Sequence, residues 1–240
     1  MKDQIRSLLS RQNTPIQSTL IVREYLQARI LEALQRSGGF RRWAFLGGTA
    51  LRFLYQLPRF SEDLDFSRTE PSGPGSAALE EFSRLITRVQ RLFEAETYQV
   101  EVDTNPPPGA SMKTSLVRRH VLLNLLHYDK PSLFSGILHA LIARPYTKGR
   151  DVYDLLWYLS DRTWPEPNLQ LLRTSLEQTG PKLDDEAVKD WRSSVLARLR
   201  EAHWQRVVLD VTPFLERAQD IELLTRENLL ALLGSPRSPK

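Results

Sequence analysis

Apolar residues at Ile21, Tyr25, Ala28, Leu31 and Leu34 recur at helical spacing. They predict a helix over residues 18–37, opened by Ser18 as N-cap and closed by Gly38-Gly39. Trp43-Ala44-Phe45-Leu46 is a short unbroken apolar run and reads as a strand. A second helix is expected from Thr49, at its cap, to about Leu57, where Pro58 stops it. Leu64-Asp65-Phe66 reads as a strand, and Pro71-Ser72-Gly73-Pro74-Gly75-Ser76 as a loop. Leu79, Phe82, Leu85, Ile86, Val89 and Phe93 share one face of a helix predicted over 76–96.

Residues Tyr98 to Asp103 alternate with period two and predict a strand, followed by a loop at Pro106-Pro107-Pro108-Gly109. Residues 116–126 read as one strand or a strand pair. A helix through Leu138, Leu141 and Ile142 ends before Pro145, and another spans about Arg150 to Ser160. Beyond Pro165 the pattern is helical, over about 168–179, 184–200 and 225–233. The chain therefore divides into a mixed α/β core over 1–130 and an all-helical part over 131–240.

Composition changes this picture little. With 41% hydrophobic and 26% charged residues, the 240-residue chain has the balance of an ordinary globular protein. No run reaches ~18 apolar residues, so no membrane span is expected. Met1-Lys2-Asp3-Gln4-Ile5-Arg6 lacks an apolar signal core. Zero cysteines exclude disulfides and thiolate metal sites. Together these favour the cytoplasm. A net charge of +4 suits either plain solubility or affinity for a polyanion. Trp191, Arg192, Arg198, Arg200 and Trp204 suit a phosphate-binding, base-stacking face for RNA, or an amphipathic helix packing Trp191, Val195 and Leu199 inward.

Three short patterns carry chemistry. Gly47-Gly48-Thr49 sits where a strand breaks into a helix. The N–H groups at a helix start attract phosphate, and glycines let the backbone come close to it. Thr49 can cap the helix and offer its hydroxyl; a plain capped turn looks the same. Asp63-x-Asp65 places two carboxylates on one face of a strand. They repel each other unless a cation lies between them, and Mg²⁺ prefers such oxygen donors. A solvated strand-edge pair is the alternative. Lys148-Gly149-Arg150-Asp151 opens a helix, with Asp154 one turn on. Asp151 there suits a metal ligand or a base, and Lys148 and Arg150 suit phosphate; a capped helix with surface ion pairs has the same look. Neither a P-loop nor a Gly-x-Gly-x-x-Gly string is present.

Taken in order, Leu46-Gly47-Gly48-Thr49-Ala50-Leu51-Arg52, then Arg59-Phe60-Ser61-Glu62-Asp63-Leu64-Asp65-Phe66, then Lys148-Gly149-Arg150-Asp151-Val152-Tyr153-Asp154-Leu155 resemble the AbiEii-type nucleotidyltransferase toxins. That family lies in the polymerase-β-like nucleotidyltransferase superfamily. The resemblance covers roughly residues 43–160. It implies an α+β nucleotidyltransferase fold, a small mixed β-sheet flanked by helices and followed by an all-helical part that completes the active site. It implies Mg²⁺ on Asp63 and Asp65, with Asp151 as the later catalytic acid. It implies an NTP held by Gly47, Gly48, Thr49, Arg59, Ser61, His139, Lys148 and Arg150. The activity implied is transfer of a nucleoside monophosphate to an acceptor with release of pyrophosphate.

Relatives are toxins, some acting on the tRNA 3′ end, each countered by an antitoxin. One position departs from the pattern: the family commonly carries lysine where this chain has His139, twelve residues before Asp151. Lysine is a permanent charge, whereas histidine is mostly neutral above ~6.5. A small-molecule or protein acceptor, and a non-catalytic nucleotide-binding or adaptor protein, are the alternatives.

Overall fold

The computed structural model describes residues 2–9, 15–69, 80, 83, 84, 87, 100–181 and 184–234. The chain forms two compact units: residues 1–106 with 112–128, and residues 107–111 with 129–240.

The first unit holds helices α1 (Lys2–Leu9), α2 (Pro15–Arg36) and α3 (Gly47–Tyr55) around a mixed sheet. Its strands are β1 (Trp43–Leu46), β2 (Leu64–Arg68), β3 (Val100–Asp103), β4 (Met112–Arg119) and β5 (Val121–Tyr128). The sheet order is β3-β2-β1-β5-β4. β1 runs antiparallel to β2 and parallel to β5, β3 runs parallel to β2, and β4–β5 is an antiparallel hairpin. The expected small mixed sheet flanked by helices is thus what the chain builds.

Helix α2 begins three residues before the predicted start. Pro15 opens it, as its fixed φ suits a first helical position, and Ser18 lies inside the helix and not at its cap. Leu20, Tyr25, Ala28, Ile30, Leu31 and Leu34 are its buried apolar residues. Helix α3 also begins earlier than expected. Leu46 is its N-cap, and Thr49 sits buried within its first turn. Gln56 ends it in a left-handed conformation, φ 63°, just before Leu57 and Pro58. Phe53 of α3 meets Phe45 of β1 edge-on, and Phe45 lies against Phe66 of β2, so one face of the sheet is aromatic core. The 116–126 segment is a strand pair that turns at His120, φ 58°.

Of the helix predicted over 76–96, residues 80, 83, 84 and 87 are helical. Its apolar stripe, the loop at 71–76 and residues 98 and 99 lie outside the described residues.

The second unit is helical: α4 (Lys130–Ala143), α5 (Gly149–Ser160), α6 (Leu169–Thr179), α7 (Asp185–Lys189), α8 (Trp191–Glu201), α9 (Trp204–Val211) and α10 (Arg226–Gly234). The single helix predicted over 184–200 is broken at Asp190, whose carboxylate accepts from the Ser193 N–H and starts α8 afresh. Phe134 stacks on Tyr158 at 4.0 Å and meets Trp191 edge-on, which centres the core on α4, α5 and α8.

A buried ionic cluster ties the first unit together. Glu24 of α2 pairs with Arg52 of α3, with Arg119 of β4 and with His120 in the hairpin turn. Burial raises the Glu24 pKa, but hydrogen bonds from His120 and Arg119 and the charges of Arg52 and Arg119 outweigh it, leaving it at about 2 against an ordinary 4.5. A depressed folded-state pKa means the stabilisation is complete above pH 4.5 and is lost as pH falls towards 2. Glu24→Ala, which leaves two arginines without their carboxylate, should cost about 3–5 kcal/mol in urea unfolding at neutral pH. Glu24→Gln should flatten the acid limb of the stability curve in that same pH window.

Candidate active site

The residues singled out in the first unit converge on the junction of β1 and α3. Leu46 pairs with Asp65 across the antiparallel β1–β2 ladder, which brings the Gly47-Gly48 turn beside that acid. Gly47 has φ +78°, and a Cβ added there would lie 2.1 Å from the Asp65 Oδ2. A Cβ on Gly48 would lie 2.7 Å from an Arg59 guanidinium nitrogen and 3.0 Å from the Ser61 hydroxyl oxygen. Gly47 is required by its left-handed backbone, and together the two glycines leave backbone in direct approach to a carboxylate, a guanidinium and a hydroxyl. The α3 N-terminus lies there, and Leu46 offers it no side-chain cap.

Thr49 has another duty than the one the sequence suggests. Its fully buried hydroxyl donates to the Asp63 carbonyl at 2.5 Å, so it anchors the backbone of the first acid. Asp63 itself stands in the loop immediately before β2, and Asp65 is the second residue of that strand. Both are half-buried. Across the parallel β2–β3 pair, Glu101 stands in register with Asp65. The sequence signal for Glu101 is present, an acid between Val100 and Val102, but it has no neighbouring motif to single it out.

Two carboxylates beside an open backbone turn fit Mg²⁺, which takes one or two protein carboxylates and keeps its other places for water and phosphate. Among the described residues, no group of three or more His, Cys, Asp or Glu side chains converges to hold a metal ion.

His139, Lys148, Arg150 and Asp151 belong to the second unit. Asp151, in the first turn of α5, forms an ion pair with Arg144. Lys148 is the α5 N-cap residue, without a side-chain capping bond. Gly149 answers a packing demand, since a Cβ there would lie 2.0 Å from the Val207 carbonyl oxygen of α9. The Arg150 guanidinium lies over the Phe214 ring at 4.4 Å, and the Arg150 backbone N–H donates to the Asp210 carboxylate at 3.2 Å.

His139 hydrogen-bonds to the Thr179 hydroxyl at 2.9 Å. Burial and the nearby Arg144 charge hold its pKa below 6.5, against a backbone hydrogen bond at Ser175 that raises it. The ring is mostly neutral at pH 7.

The Trp191 segment takes the packing alternative. Trp191, Val195 and Leu199 are buried. Arg192 bonds to Glu166 and the Leu233 carbonyl, and Arg198 to the Leu141 and Arg144 carbonyls. No helix among the described residues is long and apolar enough to cross a membrane.

The family model described as nucleotidyl transferase AbiEii toxin, type IV TA system, matches residues 29–121 and 94–225. The solved structure of MenT4, a nucleotidyltransferase toxin from Mycobacterium tuberculosis H37Rv, is similar over 95% of this chain and 98% of its own, with a TM-score of 0.54 and 16% identity. At that identity the likeness is one of fold. No curated protein matches the chain.

Gly47→Ala tests the turn. A side chain at φ +78° is strained by roughly 1–2 kcal/mol, and its methyl displaces the Asp65 carboxylate. Thermal unfolding should show a modest loss of stability, while nucleotidyl transfer should fall by at least about 100-fold. Transfer at the wild-type rate would show that the approach of Gly47 to Asp65 is not needed.

Proposed function

The chain belongs to the AbiEii family of nucleotidyltransferase toxins of type IV toxin–antitoxin systems, and from that premise we propose that it moves a nucleoside monophosphate from an NTP to the 3′ end of tRNA in the cytoplasm. Pyrophosphate leaves, Mg²⁺ is required, and an antitoxin counters the activity. The observation that carries this reading is the placing of Asp65 and Arg59 against the bare backbone of Gly47-Gly48.

Each side chain has a defined part in it. Gly47 and Gly48 leave room for phosphate oxygens at the α3 N-terminus, where N–H groups and the helix dipole favour an anion. Arg59 and Ser61 flank that place with a permanent charge and a hydroxyl. Asp63 and Asp65 hold Mg²⁺, which when bound offsets the negative charge that develops on the phosphate. Thr49 serves the site through the Asp63 backbone. Asp151 carries the part of the later acid, taking the acceptor hydroxyl's proton, and Arg144 pairs with its carboxylate. Lys148 and Arg150 add positive charge for the triphosphate. His139, bonded to Thr179 and largely neutral, adds none.

The test is label transfer from each α-labelled NTP into total RNA. The wild-type chain should label a tRNA-sized band and release pyrophosphate, and Asp63→Ala with Asp65→Ala should lower transfer by at least about 100-fold. Transfer that survives in the double variant would sink the assignment. Label that appears only in protein or in a small molecule would move the acceptor away from RNA. One observation favours a second reading, nucleotide binding without turnover: the commitment of His139 to Thr179 where the family commonly carries lysine. Calorimetry that detects Mg²⁺-NTP binding, with no pyrophosphate released, would favour it.

A further inference from the structure

In the loop that delivers the two acids, every carbonyl from residue 59 to residue 63 accepts from a side chain. The Arg52 guanidinium donates to the Leu57 and Arg59 carbonyls at 2.9 and 3.1 Å. Arg59 donates to the Phe60 carbonyl at 2.9 Å. The Gln27 side-chain amide donates to the Ser61 carbonyl at 3.1 Å and to the Glu62 carbonyl at 2.9 Å. Thr49 donates to the Asp63 carbonyl. From residue 59 to residue 63 no carbonyl is left over, and the donors come from α2, from α3 and from the loop itself.

Gln27 is the member of this set with no other duty in the cluster. It projects from α2 and is 1% exposed. A glutamine NH₂ carries two donors, and here they meet two consecutive carbonyls, an arrangement that the amide oxygen would make repulsive. One turn earlier on the same helix Arg23 pairs with Glu62 at 2.5 Å, so α2 grips this stretch by backbone and by side chain. Asp63 follows directly, and Asp65 two residues on.

We propose that Gln27 is a positioning residue for the reaction: by holding the Ser61 and Glu62 carbonyls, it fixes where the carboxylates of Asp63 and Asp65 stand relative to the Gly47-Gly48 turn. This rests on the nucleotidyltransferase reading. A site that must place two carboxylates for one cation tolerates little drift, and a displacement of about 1 Å can cost about 100-fold in rate. Gln27 touches neither nucleotide nor metal in this proposal. Its removal acts on the geometry of the acids and leaves phosphate recognition by the α3 N-terminus in place.

The experiment compares Gln27→Met, which keeps length and removes both donors, with the wild-type full chain. Three quantities are read: transfer kinetics, the Mg²⁺ concentration for half-maximal transfer, and amide hydrogen exchange of peptides covering residues 57–66. Gln27→Met should lower kcat by about 30-fold, leave KM for the NTP within about 3-fold, and raise the Mg²⁺ requirement by about 10-fold. Exchange over 57–66 should quicken while peptides of α4 stay as they were. Leu34→Ala, a buried truncation two turns further along α2, should lower Tm and leave the Mg²⁺ requirement unchanged. Gln27→Asn, one methylene shorter with its amide kept, is the milder second variant and should fall between wild type and Gln27→Met.

Unchanged exchange over 57–66 overturns the proposal whatever the activity. An unchanged Mg²⁺ requirement, where transfer is measurable, overturns it as well. Quickened exchange in a chain whose wild type transfers no label supports the clamp and sinks the nucleotidyltransferase reading instead.

Discussion

Backbone carbonyls in a buried loop must find donors, and residues 57–63 link helix α3 to strand β2 without a continuous ladder to supply them. This chain answers with buried polar side chains: Arg52, Arg59, Gln27 and Thr49. Arg52 stays in place because Glu24 pairs with it, and Glu24 also holds Arg119 and the His120 turn of the β4–β5 hairpin. One hydrogen-bonded network therefore runs from the hairpin, through α2 and α3, to the backbone of Asp63. Its members are polar or charged and Glu24, Gln27, Thr49, Arg52 and Arg59 are buried, which is costly unless every partner is present. The same bonds restrain the backbone on which Asp63 stands, as the proposed placing of two carboxylates for one cation requires.

The elements set by local signals were readable from the residues alone. The apolar run at Trp43–Leu46 is β1, the glycine pair opens α3, and the 3.6-residue stripe from Ile21 to Leu34 lies in α2. The starts of α2 and α3 lie earlier than Ser18 and Thr49 suggest, for a common reason. Ser18 and Thr49 have the chemistry of caps, but capping is a matter of backbone conformation, and Pro15 and Gly47 begin the helices earlier. The break at Asp190 was missed because the helical pattern continues on both sides of it, while the capping bond to Ser193 is a local detail. Helix α1 carries no motif and was not predicted.

The site divides in the same way. Glycines and acids stand out by type and spacing, and the structure brings Gly47, Gly48, Asp63 and Asp65 to one junction of β1, α3 and β2. Long-range side-chain partners do not stand out in this way. Thr49 has the chemistry of a cap in the sequence, whereas its hydroxyl partner in space is the Asp63 carbonyl, fourteen residues away. Gln27 sits between Leu26 and Ala28 as an unremarked polar helix residue, and only the packing of α2 against the acid loop gives it meaning. In the second unit the Lys148-Gly149-Arg150-Asp151 string mixes purposes. Gly149 serves the approach of α9, Arg150 stacks on Phe214, and Asp151 pairs with Arg144. Adjacent residues in one motif need not share one ligand.

His139 sharpens where positive charge for a triphosphate must come from. A largely neutral imidazole bonded to a threonine hydroxyl adds no fixed charge, so the exchange of lysine for histidine at this position removes one. In the first unit the attraction for anions comes instead from the α3 N-terminus and from Arg59. Neither depends on a group that titrates near neutral pH: the helix dipole is fixed by the backbone, and a guanidinium stays charged. Under the proposed reading, anion binding in the first unit would rest on the bare backbone of Gly47 and Gly48 and on the permanent charge of Arg59. That reading puts recognition on the same turn that the Asp65 carboxylate already requires to be bare.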